Sequence, residues 1–180
     1  WSGTDANTGL SVRTRTPVPY FQVKAGSSTV TGAGRPNQKV KVTLRTRSGR
    51  VRASGIARAK GPDGAFTVKL RSHGSPVKVR VGDRVSSTLY TGAKLTVVKT
   101  DLTIDPGTGH VIGHCFKESS KVLASARKGL ASVTNGLFTD IDRAFDLDAT
   151  GLAPLTSAVT ATAICANDQG NEQRFSATAS

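Results

Sequence analysis

Methionine is absent from these 180 residues, and aromatic residues make up only 5% of them. Any core must therefore be built from Val, Leu, Ile and Ala. Acidic residues are scarce as well, 12 Asp and Glu against 25 Lys and Arg, for a formal net charge of +13. Long apolar runs are lacking, so no membrane-spanning segment is expected. At 37% hydrophobic residues the chain is nevertheless too apolar to remain disordered. Starting at Trp1 without a methionine, it reads as a processed protein or an excised fragment whose targeting segment has gone. No nucleophile elbow, His-containing triad, phosphate-binding glycine loop or metal-ligand spacing is present. An enzyme is not expected, and neither is a cofactor or a bound metal.

What the chain has in quantity is alternation with period two. Val40, Val42 and Leu44 alternate with Lys39, Lys41, Thr43 and Arg45. Phe66, Val68 and Leu70 alternate with Thr67, Lys69 and Arg71, and Val77, Val79 and Val81 with Lys78 and Arg80. Side chains two apart share one face of a strand, so each segment predicts one buried and one solvated face. Gly- and Pro-bearing turns separate these segments, among them 35–37, 48–49, 61–64, 72–76 and 82–83. No stretch holds a helical period. The fold class is all-β, a sandwich or barrel of short strands.

The second half echoes the first. Thr29-Val30-Thr31-Gly32 aligns with His110-Val111-Ile112-Gly113, and Asp63-Gly64-Ala65-Phe66 with Asp142-Arg143-Ala144-Phe145. Lys39-Val40 aligns with Lys121-Val122. The reading is two tandem β-sandwich domains, 20–99 and 100–180, behind an extended segment 1–19. A short join around Val98–Asp101 predicts that they follow one another as a stiff rod.

A Val-x-Gly strand, a Lys-Val-x-Val strand, Asp63-Gly64-Ala65-Phe66 and a late Gly82-Asp83 together resemble the tandem immunoglobulin-like repeats of bacterial secreted and surface proteins. The second half departs from the pattern where Arg143 stands in place of the turn glycine. The resemblance implies two immunoglobulin-like sandwiches, an extracellular or cell-surface location, and use as a spacer, adhesion module or filament subunit.

Both cysteines lie in the second half. Cys115 shares strand parity with Val111 and Gly113, and Cys165 with Val159, Ala161 and Ala163, so both sulfurs are expected to point inward. Two buried free thiols satisfy that parity as well as a bridge does. The immunoglobulin resemblance implies a disulfide, since it places the two residues on facing strands. A bridge in turn favours an oxidising compartment.

Charge divides along the chain. Residues 1–100 hold 19 Lys and Arg against Asp5, Asp63 and Asp83, a net of +16. Residues 101–180 hold 6 bases and 9 acids, a net of −3. Lys39, Lys41, Arg45, Arg47, Lys69, Arg71, Lys78 and Arg80 fall on outward parity and form a candidate face for an anionic polymer, an acidic polysaccharide or nucleic acid. Without interleaved aromatics, base-specific recognition is not expected. His110 and His114, four apart on one strand, are too far apart to chelate one ion. The aspartates 140, 142, 146 and 148 read as a solvated face rather than a calcium loop. In the leading segment, Leu10, Val12, Thr14, Thr16 and Val18 share one parity and form a candidate assembly strand. It serves either as the first strand of its own domain or as a strand donated to a neighbouring copy, head to tail. The expected partners are thus copies of the chain or neighbouring surface domains, and an anionic polymer.

Overall fold

The computed structural model describes residues 18–99, 101–116, 120–155 and 158–179, and the backbone of two strands near the start. Those two, β1 (Ser2–Thr4) and β2 (Ser11–Arg13), pair antiparallel with each other. In the first half follow β3 (Tyr20–Val23), β4 (Thr29–Ala33), β5 (Lys39–Arg45), β6 (Val51–Arg58), β7 (Ala65–Lys69), β8 (Arg71–Ser72), β9 (Ser75–Pro76), β10 (Arg84–Ser87) and β11 (Lys94–Thr96). In the second half come β12 (Leu102–Asp105), β13 (His110–His114), β14 (Lys121–Lys128), β15 (Ala131–Phe138), β16 (Ala144–Asp148), β17 (Val159–Ala166) and β18 (Glu172–Thr178). One 3₁₀ turn, Thr150–Leu152, is the helical element among the described residues. The fold is all-β.

The two halves share one plan. In the first, β3-β4-β7 face a sheet that runs β11-β10-β5-β6 and continues into β8-β9. In the second, β12-β13-β16 face β18-β17-β14-β15. Alternation drives this layering. Val40, Val42 and Leu44 from β5 meet Phe21, Val30, Phe66 and Val68 from the facing strands in one buried cluster. Val122, Ala124 and Ala126 occupy the corresponding strand of the second cluster, with Val111, Phe145 and Leu147 opposite.

The repeated sequence anchors have a steric cause. Gly32 lies opposite Phe66, and Gly113 opposite Phe145. A Cβ on Gly32 would stand 2.7 Å from the Phe66 ring and 2.2 Å from the Tyr20 carbonyl oxygen. On Gly113 it would stand 2.6 Å from the Phe145 ring. Each phenylalanine folds over a glycine that has no side chain to resist it. The turn preceding each phenylalanine is also shared, with Gly64 at φ +66° and Arg143 at φ +67°.

Two expectations change. Val77–Val81 is extended but is not a strand of either sheet. Val79 is buried and bonds through its backbone to Ser27 and Gly26, whereas Val81 is 55% exposed beside the Gly82 turn. The halves, moreover, are joined along their sides as well as through the join at 98–101. β18 pairs in parallel with β3, Glu172 opposite Gln22 and Gln173 opposite Val23, which makes one seven-stranded sheet from β15 to β7.

Side-chain amides finish that union. Gln173 is fully buried; its Nε2 donates to the Val98 carbonyl (2.9 Å) and its Oε1 accepts from the Val98 N–H (3.0 Å). Asn171, also fully buried, accepts from the Phe21 N–H and donates to the Lys94 carbonyl. Buried amides are held only where they are hydrogen-bonded, so these contacts fix one geometry for the pair. Gln22 Nε2 donates to Glu172 at 2.8 Å, while burial raises the Glu172 pKa above the usual carboxylate range.

Candidate functional site

The outer face of the six-stranded sheet holds the charge. β5 turns Lys39, Lys41 and Arg45 outward because its alternate residues fill the core. Directly paired antiparallel residues share a face, so the register adds neighbours: Arg84 opposite Arg45, and Arg58 opposite Lys39. Lys94, opposite Ser86, and Arg71, opposite Ser54, extend the face to either side. All seven side chains are exposed, and the six strands contain neither Asp nor Glu. Like charges directly opposite one another are destabilising, so the Arg45–Arg84 pair opposes folding locally.

Two open grooves flank this face. One lies between Arg45, Arg84 and Lys94 and the second half's loop Asn167-Asp168-Gln169, with Asp168 the acid at its margin. The Asn167 and Gln169 side chains bond the Lys94 backbone, so that loop is anchored to the edge of β11. The other groove is lined by Arg50, Arg52, Lys78 and Arg80, with His73 and Pro76. There Arg52 is ion-paired to the buried Asp83, which also accepts the Arg80 N–H at 2.7 Å.

Of the eight residues singled out from the sequence, Lys39, Lys41, Arg45 and Arg71 come together on this face. Arg47 follows β5 in the adjoining turn, and Lys78 and Arg80 border the second groove. Lys69 does not join them, because β7 belongs to the opposite sheet. Sequence parity missed Arg58, Arg84 and Lys94, whose membership depends on which strands neighbour β5. In the leading segment, Val12 lies on β2 opposite Gly3, and Val18 is exposed. Leu10, Thr14 and Thr16 lie outside the described residues.

Cys115, one residue past β13, and Cys165, on β17, form a disulfide with Cα atoms 5.8 Å apart. It crosses between the two sheets of the second half. His110 Nδ1 is 2.7 Å from Asp146 Oδ1, and His114 Nδ1 is 2.8 Å from Asp101 Oδ1. The hydrogen bond with Asp146 raises the His110 pKa above its usual value. Any stability this pair adds is present below the unfolded-state pKa and is lost as pH rises through the folded one. Asp140 and Asp148 accept hydrogen bonds from the Ala144 and Thr150 backbone, which makes them turn acceptors. Among the described residues, no group of three His, Cys, Asp or Glu is placed to hold a metal ion.

No helix in the described residues is long and apolar enough to cross a membrane. No protein-family model matches the chain, and no curated protein matches it. Solved structures similar to it include a tetra-tandem repeat from the extending region of a large adhesion protein, at 15% identity and a TM-score of 0.34, with 90% of this chain and 49% of that one covered. Another is the BSP domain of a biofilm-associated protein, at 14% identity and a TM-score of 0.30, covering 90% and 29%. A third belongs to a 1.5-MDa bacterial ice-binding adhesin, at 14% identity and a TM-score of 0.31, covering 93% and 65%. The chain thus spans about half the length of the first of these and less than two thirds of the other two. Likeness at this level carries no argument about what the chain does.

Proposed function

We propose that this chain is a non-enzymatic structural module of a bacterial extracellular surface protein, made of two successive sandwich domains. Neighbouring modules, or copies of the chain, continue it head to tail. The observation that carries this reading is the repetition of one strand plan, clasped side to side through the buried amides of Asn171 and Gln173. A clasp of that kind suits a part that transmits load or holds a fixed spacing. The Cys115–Cys165 bridge suits an oxidising compartment. Electron microscopy of the native material tests the series: the reading expects elongated chains of modules, and isolated compact particles contradict it.

A second reading, favoured by the face without carboxylates, is adhesion to an anionic polymer. Counterion release makes such binding fall steeply with salt. On a polyanion matrix the chain should be retained and elute with moderate salt. Replacing Lys39, Lys41, Arg45 and Arg84 with Gln should lower the eluting salt, whereas Lys69→Gln on the opposite sheet should leave it unchanged. An equal shift per charge removed in both sets would mean that net charge, and not this face, holds the polymer.

A further inference from the structure

Most of the outermost strands among the described residues are guarded against strand addition. β9 ends in Pro76, and the outer edge of β11 is held by the amide side chains of Asn167, Gln169 and Asn171. β7 carries exposed Lys69 and a bridge from Lys60 to Ala65. β16 exposes Asp146 and Asp148, and β12 is four residues long with Asp101 and Asp105 at its ends. Charge, proline, brevity and cover are the means by which proteins keep strand edges from pairing.

β15 has none of them. It runs eight residues, Ala131–Phe138, paired to β14 in unbroken register on one side. Residues 129–139 contain neither a charged residue nor a proline. Every residue of the strand is exposed or half-buried, Phe138 is 66% exposed, and Leu130 just before the strand is 96% exposed.

We propose that β15 pairs antiparallel with β15 of a second copy, so that two molecules form a closed two-fold dimer through one continuous sheet. Charge selects this occupant. At a net charge of +13, two copies repel almost wherever they meet; β15 itself carries no charge, and the bases nearest it, Lys121, Arg127 and Lys128, lie one strand back on β14, away from the free edge. The strand is also self-complementary. Centred on Thr134 opposite its own counterpart, the register places Leu130 against Phe138, Ala131 against Leu137 and Ser132 against Gly136, each pair on one face. The two most exposed apolar side chains of the region then cover each other, small residues face large or small ones, and no charge meets its like. Such an isologous contact closes on itself, independently of any head-to-tail series.

Sedimentation equilibrium over a concentration series of the full chain tests this, using Thr134→Lys and Thr134→Asp. Thr134 is exposed and faces outward beside Ser125, so neither substitution enters the core. Thermal unfolding of each variant should match the parent. The parent should dimerise, more tightly as salt screens its net charge. Each variant alone should dimerise at least about tenfold more weakly, since like charges meet at the two-fold axis. Mixing the two should restore dimers, now heterodimers with Lys opposite Asp. A parent that stays monomeric to its solubility limit overturns the proposal. So does a dimer indifferent to both substitutions, or a mixture of the two variants that fails to associate.

Discussion

Removing the Cys115–Cys165 bridge will cost the second half about 4 kcal/mol, the chain-entropy value for a loop spanning a separation of 50 residues. That half has little with which to replace it. Where β5 buries Val42 and Leu44, β14 buries Ala124 and Ala126, and β17 adds Ala161 and Ala163. Each alanine removes less apolar surface from water than the valine or leucine it stands for, at about 25 cal/mol per Å². A Cys115→Ala, Cys165→Ala variant should lose about 15–30 °C in the melting of the second half, by the usual conversion for a domain of this size. The first cluster holds no cysteine and should be nearly unaffected except across the shared sheet. Unreduced protein, once denatured, should show no reactive thiol. Two thiols per chain, or a loss below about 1 kcal/mol on reduction, would contradict this account of the second core.

The paired turns make a prediction of opposite signs. Gly64 and Arg143 hold the same left-handed backbone, and both carbonyls accept from a facing segment, from the Gly34 and Cys115 N–H groups respectively, but at Gly64 a side chain has no room. A Cβ there would lie 1.7 Å from the Gly34 carbonyl oxygen, where the Gly34 N–H also donates to the Gly64 carbonyl. Backbone cannot yield as a flexible side chain can. Gly64→Ala should therefore cost about 3 kcal/mol or more, combining the strain of positive φ with the displacement of Gly34. Arg143→Gly should do the reverse. It relieves a left-handed penalty of about 1–2 kcal/mol, offset by about 0.5–1 kcal/mol from the freer unfolded chain. The net gain is between about 0 and 1.5 kcal/mol, read by guanidinium unfolding of each variant. A neutral Gly64→Ala would mean that the turn before β7 relaxes freely.

Much of this fold is legible in the residues. Alternation marks β5 and β7, and the repeated Val-x-Gly and Ala-Phe anchors mark β4, β7, β13 and β16. The anchors persist because each phenylalanine needs a glycine opposite it. Periodicity fails at Val77–Val81, where an extended chain satisfies its hydrogen bonds on a turn rather than on a sheet. Parity tells which side of a strand a residue occupies, but not which strands lie beside it. For that reason Lys69 is grouped with a face it does not share, and Arg84 and Lys94 are overlooked. The clasp between the halves is hidden for another reason. Asn171 and Gln173 lie in and just beyond a polar hairpin whose composition reads as solvent-facing, and only the neighbouring Val98, Phe21 and Lys94 backbone turns them into buried contacts.

The central claim, that this is an extracellular surface module with an oxidised second core, is tested most directly on intact cells that make the protein. Antibodies raised against the chain should label unbroken cells, and added protease should remove the label without lysis. A thiol-reactive probe applied to the protein recovered from the surface and denatured without reductant should leave Cys115 and Cys165 unmodified. A chain found only inside the cell, with both thiols reactive, would contradict the account.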